Sequence, residues 1–488
     1  MPTHIESVLP RCQPEHVDIA ASVVVQFVEA LESQMHEMHS FMLLRHGQVF
    51  AEGWWSPYKP EYPHLMFSVS KSFTSTAVGM AVAEGRLSLD ERVLAFFPDE
   101  KPKQASEFLD LMSVRHLLTM TTGHAVDTWP FLVERSDGNW IKAFLEVPVV
   151  HPPGAYFLYN TGATYILAAL VEKTTGMKLI DYLRPRLFDP LGIQNATWQE
   201  SPQGIAIGGY GLSLTTEGLA RFGQLYLQKG RWGDRQLLPE AWVEAATAAQ
   251  IAGSASTGQS DWTQGYGYQF WRCRHAAYQA SGVFGQSCIV MPEQDAVLAF
   301  TAGIDVLEVQ QLLDIVWKVL LPALELEQLA EGPAPQGALV NKLSGLTLAP
   351  SPNQAAFPIP SRDQGGTYAV NANPLNIETI ALNFTQTDCS VRIKRPAGEE
   401  SVLCGYSEWR CGQISLFNQP WLSDEPTPVA VSGAWIGADC FTMTVRLIET
   451  PFSHTLIYHF IDNELLLEIK VNVTLEAPKP LLLTAHRL

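Results

Sequence analysis

The 488-residue sequence contains little charge, and basic residues are especially scarce. Charged residues make up 17% of the chain, and 32 Lys and Arg stand against 50 Asp and Glu, for a net charge of −18. A nucleic-acid-binding protein needs a basic face that neutralises phosphates, so this balance argues against a nucleic-acid partner. Hydrophobic residues reach 47%, enough for a large core, and at this length we expect two or three domains.

Cysteine motifs and long apolar runs are also missing. The seven cysteines form no Cys-x-x-Cys pair and match no zinc-ligand spacing, so we expect reduced thiols and no metal site. Residues 1–6 lack the basic and apolar regions of a secretory signal. The most apolar long run, residues 315–324, is interrupted by Lys318 and Pro322 and is too short to span a bilayer. We therefore expect a cytoplasmic protein without a membrane span.

Hydrophobic periodicity divides the chain into an α+β part and a β-rich tail. The predicted strands of the first part are 40–45, 48–53, 266–271, 288–291 and 296–301, and its clearest helices are 16–36, 68–84, 216–227 and 306–321. The region between residues 90 and 234 is mostly helical in pattern. A sheet built from both ends of the chain, with a helical insertion between them, is an α+β layout.

The composition changes after residue 330. Residues 331–337 and 350–366 are rich in Pro, Gly and Ser, which indicates a linker that we place at 331–362. Beyond it, short runs of alternating polarity predict an all-β sheet or barrel of roughly eight strands. We therefore predict a first domain at residues 1–330 and an accessory β domain at residues 363–488.

The motif with the clearest chemical meaning is the pair Ser68 and Lys71 at the start of a predicted helix. Residues three apart on a helix share a face, so the Ser68 hydroxyl can meet the Lys71 amine. Serine attacks a carbonyl only when a base removes its proton, and lysine acts as a base only when burial or positive charge lowers its pKa. The spacing alone is weak, because it also occurs by chance, with Ser68 as a helix cap and Lys71 in solvent.

Further segments occur in an order that strengthens this interpretation. These segments are residues 113–124, residues 153–162, in which Pro153-Gly154 precedes Tyr159, and residues 291–295. With the Ser-x-x-Lys pair, they make residues 35–325 resemble the serine β-lactamase and penicillin-binding protein superfamily, in its class C β-lactamase and esterase branch. The first segment looks like that branch's helix and loop before the active-site rim, the second like its Pro-Gly turn leading to Tyr-x-Asn, and the third like the turn between its last two strands. The resemblance implies an antiparallel sheet flanked by helices, with a helical subdomain.

The resemblance also implies roles for individual residues. Ser68 would attack the carbonyl, and Lys71 would activate it or hold the proton network. Tyr159 would exchange protons with Ser68 and the leaving group, and as a phenolate it would need positive charge from Lys71. Thr161 stands where the family usually has Asn, and the loss of that amide weakens a β-lactam or peptide substrate more than an ester.

The third family motif, Lys-Thr-Gly or His-x-Gly, is replaced here by Ala280, Ser281 and Gly282. No cation remains at this position to hold a substrate carboxylate. Gly282 still lets a ligand approach the backbone, and the Val283 amide could join the Ser68 amide as an oxyanion hole. The replacement therefore argues against carboxylate-bearing lactams and leaves acyl transfer possible.

These features predict a serine hydrolase that forms an acyl-enzyme on a carboxylic ester or small amide, of the esterase or D-aminopeptidase type. The alternative is a non-catalytic scaffold or binding protein that has kept the fold, which the altered third motif and Thr161 motivate. We expect a small-molecule ester or amide as the partner and no cofactor, and a homo-oligomer is compatible with the sequence. A further hypothesis is that the β domain covers the cleft and sets substrate size.

Overall fold

The computed structural model describes residues 9–252, 260–326, 336–350, 365–417, 425–475 and 479–488. The described residues up to 350 form an α+β domain, and those from 365 onward form a barrel domain. The predicted α+β layout followed by an all-β domain is confirmed. The predicted boundaries at 330 and 363 stay predictions, because both positions lie outside the described residues.

A six-stranded antiparallel sheet lies at the centre of the α+β domain. The strands of this domain are β1 (Met38–Arg45), β2 (Gln48–Trp54), β3 (His64–Leu65), β4 (Thr197–Trp198), β5 (Leu212–Leu214), β6 (Arg231–Trp232), β7 (Arg235–Gln236), β8 (Trp271–Arg272), β9 (Tyr278–Gly282), β10 (Gln286–Met291) and β11 (Ala296–Ala302). The order in the central sheet is β2-β1-β11-β10-β9-β8, so strands from both ends of the domain lie side by side. Phe41 and Met42 of β1 enter separate hydrophobic cores because successive side chains point to opposite faces.

Helices cover both faces of this sheet. The α-helices are α1 (Ala21–Gln34), α2 (Ser70–Ala83), α3 (Val93–Phe96), α4 (Glu107–Leu111), α5 (Val114–Leu118), α6 (Trp129–Val133), α7 (Trp140–Glu146), α8 (Thr161–Thr175), α9 (Leu179–Leu183), α10 (Asp189–Leu191), α11 (Thr216–Leu227), α12 (Glu240–Thr247), α13 (Val309–Ile315), α14 (Leu321–Leu324) and α15 (Gln336–Ser344). Helix α11 packs on β10 and β11, whereas α1 packs with α13 and α15. The side chain of Thr215 caps α11 by accepting a hydrogen bond from Gly218 N at 3.1 Å.

Helix α2 is buried along most of its length. The chain enters it through a 3₁₀ turn, Phe67–Val69, so the predicted start at Ser68 falls within that turn. Every residue from 70 to 81 is buried, and most of them are small, which lets α8 pack closely against α2. Gly85 follows the helix with a φ of 69°, a left-handed conformation that glycine adopts without strain.

One predicted strand, residues 266–271, is wrong. Only Trp271 belongs to a strand, where it begins β8. The alternating aromatic side chains are buried, but Gln269 has a φ of 65° and Gly267 N donates to Phe270 O at 2.8 Å, which closes a turn. The alternation therefore reflects side-chain packing and not pairing within a sheet.

The strands of the barrel domain pair with one another in antiparallel fashion, apart from one short parallel pairing. Its strands are β12 (Gly366–Val370), β13 (Thr379–Phe384), β14 (Asp388–Arg395), β15 (Gly398–Tyr406), β16 (Arg410–Ile414), β17 (Thr427–Trp435), β18 (Cys440–Leu447), β19 (Ser453–Ile461), β20 (Glu464–Val471) and β21 (Leu481–Arg487). Nine of them close into a barrel, because Tyr406 of β15 pairs in parallel with Gly433 of β17. The tenth strand, β16, pairs with β17 as well. The predicted all-β barrel is confirmed, with more strands than the rough number expected.

The two domains contact each other beside β3. The amide of Leu65, the last residue of β3, donates to Glu449 O of the barrel domain at 2.8 Å. Nearby, Arg446 Nη2 donates to Glu37 Oε1 at 3.0 Å, and the Arg446 side chain is only 8% exposed. The segment that leads into the turn Phe67–Val69 is therefore tied directly to the barrel.

The described part of the predicted linker, residues 331–362, contains a helix. Leu339 of α15 lies in the same hydrophobic core as residues of α1, and Lys342 forms an ion pair with Glu32. The remainder of the predicted linker lies outside the described residues. At least part of this segment is thus packed on the α+β domain.

All seven cysteines are unbridged in the structure. Among the helices of the described ranges, none combines the length and the apolar character needed to cross a bilayer. Over the same part of the chain, no group of three or more His, Cys, Asp and Glu side chains is arranged to hold a metal ion.

Candidate active site

Ser68 and Lys71 meet at the entrance to α2, as the spacing predicted. Lys71 Nζ lies 2.9 Å from Ser68 Oγ and donates to the carbonyl of Gly209 at 2.8 Å. The turn Phe67–Val69 continues directly into the helix, so both side chains point from one face of the same rigid element. The geometry puts an amine within hydrogen-bond reach of a hydroxyl, the arrangement that activates a serine nucleophile.

Burial changes the acid–base behaviour of Lys71. The residue is 1% exposed, and removal of the ammonium from water lowers its pKa from 10.5 to about 7. The negative charge of Asp127 opposes this shift only in part. A substantial fraction of Lys71 is therefore neutral near pH 7 and able to accept a proton.

Tyr159 lies over the same pair. Its ring centroid is 4.9 Å from Lys71 Nζ, and the ring stacks on Trp271 with centroids 5.6 Å apart. Burial raises the pKa of Tyr159 well above its ordinary value, while its hydrogen bond with Ser68 lowers it to a smaller extent. The phenol is therefore neutral in the resting site, and the phenolate that the family resemblance implied is disfavoured.

The residues after Tyr159 have separate tasks. Asn160 is fully buried and caps α8, where its Oδ1 accepts from Ala163 N and from Thr128 Oγ1, the latter at 2.7 Å. It is therefore occupied structurally and does not take the place of the family's Asn. Thr161 Oγ1 lies 3.5 Å from Lys71 Nζ, so the residue that departs from the family motif faces Lys71.

The replaced third motif lies beside Ser68. An added Cβ at Gly282 would stand 2.3 Å from Met66 O and 3.2 Å from Ser68 N, so only glycine lets β9 approach the turn this closely. Ser281 is half-buried on the same strand and lies opposite Ser287 of β10. Val283 follows β9 directly and is half-buried at the start of the turn that leads to β10. The structure thus brings Gly282 next to Ser68, and the roles of Gly282, Ser281 and Val283 stay predictions.

Two residues at the site were not identified from the sequence. Asp127 Oδ1 accepts from Thr161 N at 2.9 Å and from Trp129 N at 3.0 Å, which holds a carboxylate at the start of α8. Gly209 supplies the carbonyl that binds Lys71, and a Cβ there would stand 2.8 Å from Thr161 Cγ2. The glycines at positions 208, 209 and 211 were the available signal in the sequence.

Sequence comparison identifies relatives for the α+β domain. The beta-lactamase family model matches residues 27–311. The 6-aminohexanoate-dimer hydrolase of Paenarthrobacter ureafaciens is 26% identical over 298 residues, which cover 55% of this chain and 74% of that protein. Esterase EstB of Burkholderia gladioli is 27% identical over 202 residues, which cover 36% of this chain and 51% of EstB.

Solved structures resemble both domains. EstCE1, described as a hydrolase with promiscuous acyltransferase activity, superposes with a TM-score of 0.51 at 18% identity and covers 62% of this chain and 99% of its own. The crystal structure of SurE superposes with a TM-score of 0.51 at 18% identity and covers 97% of this chain and 100% of its own. At these identities the likeness concerns the fold alone. The family match over residues 27–311 carries the assignment: the chain belongs to the β-lactamase family, in the serine β-lactamase and penicillin-binding protein superfamily, and is a serine hydrolase at the level of that family.

Proposed function

We propose that this protein hydrolyses a carboxylic ester or a small amide through an acyl-enzyme on Ser68. The observation that carries the proposal is the 2.9 Å contact between Ser68 Oγ and a buried lysine whose pKa is lowered to about 7. Such a lysine can take the serine proton near neutral pH. The hydrolase relatives are consistent with this chemistry.

Acylation uses the groups around Ser68. Neutral Lys71 accepts the hydroxyl proton as Oγ attacks the substrate carbonyl, and the amides of Ser68 and Val283 donate to the resulting oxyanion. Tyr159 passes its phenolic proton to the leaving alcohol or amine, and the Lys71 ammonium, which lies over the Tyr159 ring, returns the proton taken from Ser68 to the resulting phenolate. In deacylation a water molecule attacks the acyl-enzyme ester and gives a proton to Lys71 and Tyr159. The same two side chains return a proton to Ser68 Oγ as it leaves.

The charges near the site favour a neutral or amine-bearing substrate over a carboxylate-bearing lactam. Ala280 stands where the third family motif has a cation that would bind a substrate carboxylate. Asp127 also places a negative charge near Lys71. An ester needs no amide contact from position 161, so Thr161 is no obstacle to it. Esterase or D-aminopeptidase-type activity is therefore preferred to β-lactamase activity.

The test compares Ser68→Ala with a second serine variant from the same helix. Ser75 is buried in α2 and its hydroxyl has no hydrogen-bond partner among the described residues, so Ser75→Ala is a matched control that should keep full activity. We expect Ser68→Ala to lower kcat on a panel of aryl and alkyl esters by at least about 1,000-fold, the order found when a catalytic serine is removed. Rates are measured with both purified variants and the wild type.

The same proteins decide between the enzyme and the scaffold alternative. After exposure to a fluorophosphonate and to a mixed ester, lactam and D-aminoacyl library, intact-mass spectra should show an adduct on the wild type and on Ser75→Ala but not on Ser68→Ala. If no acylating probe modifies the wild type and it hydrolyses no ester, the scaffold interpretation is correct.

A further inference from the structure

A small apolar cluster joins the two domains beside Ser68. It consists of Phe67, Val283 and Phe284 from the α+β domain and Phe452, Val471 and Val473 from the barrel domain. The three phenylalanine rings form a triangle, with Phe452 6.1 Å from Phe67 and 5.7 Å from Phe284, and those two 5.5 Å apart. All three contacts have edge-to-face geometry, which favours a fixed arrangement. We call this set the Phe452 cluster.

Two members of the Phe452 cluster have an uncommon backbone conformation. Phe67 has a φ of 47° and Phe284 a φ of 67°, the left-handed region that a bulky side chain rarely adopts. Phe67 directly precedes Ser68, and Phe284 directly follows Val283. Each strained residue is therefore next in sequence to Ser68 or Val283, whose amides bind the oxyanion in the proposed mechanism. Such conformations persist only where the surroundings hold them.

The left-handed conformation of Phe284 occurs in a tight turn between β9 and β10. Gly285 also has a positive φ, 88°, and Gln286 already pairs with Gly282, so the chain reverses over three residues. Phe284 O accepts from Ile304 N at 3.2 Å, which fixes one side of the turn. Its side chain is 3% exposed and packs against the barrel. The path of Val283 thus depends on where the Phe284 ring is held.

The barrel element that carries Phe452 is itself anchored to the α+β domain. Asn472 Nδ2 donates to Pro451 O at 2.9 Å and to Gly303 O at 3.1 Å, bridging the two domains. A Cβ at Gly303 would stand 2.4 Å from Pro451 O, so the two backbones touch there. Glu449 O accepts from Leu65 N, three residues before Ser68. The contacts of Pro451 with Gly303 and of Glu449 with Leu65 therefore fix the position of Phe452 relative to Ser68.

We propose that Phe452 is a positioning residue for the oxyanion hole. Its ring holds Phe67 and Phe284 in their left-handed conformations, so that the amides of Ser68 and Val283 point to one place. This inference rests on the proposed acyl transfer and adds a role for the barrel that differs from covering the cleft. The ring contacts of Phe452 described above are with Phe67 and Phe284, and the proposed mechanism gives it no contact with the reacting atoms, so its effect should fall on kcat more than on KM.

The test replaces Phe452 by alanine and by leucine and uses Phe460→Ala as a matched control. Phe460 is also a buried phenylalanine of the barrel, but its ring partners, which include Trp435 and Tyr368, all belong to the barrel. We expect Phe452→Ala to lower kcat by at least about tenfold, because each misplaced oxyanion donor is costly, with KM changed less than about twofold. Phe452→Leu should recover most of kcat, and Phe460→Ala should change stability without changing kcat.

Two outcomes would overturn the proposal. One is an equal effect of Phe452→Ala and Phe460→Ala on kcat, which would mean that only general stability matters. The other is a crystal structure of Phe452→Ala in which Phe67 and Phe284 keep their positive φ values and the Ser68 and Val283 amides do not move. The structural readout needs no substrate, so it tests the positioning role even if the wild type proves inactive and the proposed hydrolysis fails.

Discussion

At the scale of single residues, the proposed mechanism depends on the protonation state of Lys71. Burial disfavours its ammonium form, whereas Asp127 favours it, and the balance gives a pKa of about 7. Asp127 is therefore more than an acceptor for the amides of Trp129 and Thr161. In the proposed mechanism its charge helps to set the pH at which Lys71 can act. Asp127→Asn separates this charge effect from the hydrogen bonds, because asparagine keeps an acceptor oxygen without the charge.

This balance predicts a pH profile. Lys71 must be neutral to accept the Ser68 proton, so kcat/KM should rise with pH through about 7, the pKa of Lys71. Removing the negative charge with Asp127→Asn lowers that pKa further, and the rising limb should move to lower pH. The measurement is kcat/KM from pH 5 to 9 for both proteins.

Asp99→Asn, at an exposed carboxylate, is the control for the pH experiment because it alters net charge by the same amount. Its profile should coincide with that of the wild type. A shift of equal size in both variants would mean that the effect comes from overall charge, and a limb that moves to higher pH in Asp127→Asn would contradict the assigned role of Asp127.

At the scale of elements, the approach of β9 to the turn Phe67–Val69 builds the site. The approach is possible because Gly282 has no side chain, and a methyl group there would meet backbone atoms that cannot rotate away. Strand β9 and the entrance to α2 thus meet at one residue. The geometry around Ser68 therefore depends on a strand that is remote from it in sequence.

Gly282→Ala should damage both activity and stability. Its Cβ would stand 2.3 Å from Met66 O, and relief of that clash should cost about 1–3 kcal/mol in the free energy of unfolding. Gly412→Ala in β16 is the control, because its Cβ would meet only side-chain atoms at 3.8 Å and should leave the stability unchanged or raised. Thermal unfolding and fluorophosphonate labelling of Ser68 measure the two effects. Equal stability of the two variants would show that the close approach is not maintained in solution.

Local signals in the sequence predicted much of this architecture. The Ser68–Lys71 contact spans three residues, and helix α11 follows directly from its own periodicity. Contacts that depend on the tertiary fold left no such signal: the Gly209 carbonyl reaches Lys71 across 138 residues of sequence, and Asp127 reaches Thr161 across 34. Residues 266–271 were misassigned because alternating aromatics report burial, which a turn can satisfy as well as a strand.

At the scale of the whole molecule, the barrel and the α+β domain share polar as well as apolar contacts. The ion pair between Arg446 and Glu37 lies at this interface, with Arg446 8% exposed and its guanidinium 5.3 Å from the Trp409 ring. A buried charge is tolerated only when it has a partner. The pair therefore makes the stability of the interface sensitive to single charge changes.

Glu37→Gln should reduce the free energy of unfolding by about 3 kcal/mol, because it leaves a buried guanidinium without its counter-charge. The control is Glu468→Gln, which breaks the more exposed pair with Lys470 in the same barrel and should cost less than about 1 kcal/mol. Urea unfolding followed by tryptophan fluorescence gives both values. Similar losses in the two variants would mean that the interface pair is effectively solvated.

The hydrogen bond from Leu65 to Glu449 has a consequence for how the protein matures. Residues 65–71 are synthesised long before the acceptor for Leu65 and the ring that contacts Phe67, which lie at residues 449 and 452. A nascent chain, or one cut short before residue 449, therefore lacks the contacts that hold the segment around Ser68. Competence for the proposed acyl transfer should appear only after residue 452 has left the ribosome, so that copies cut short before it stay inert.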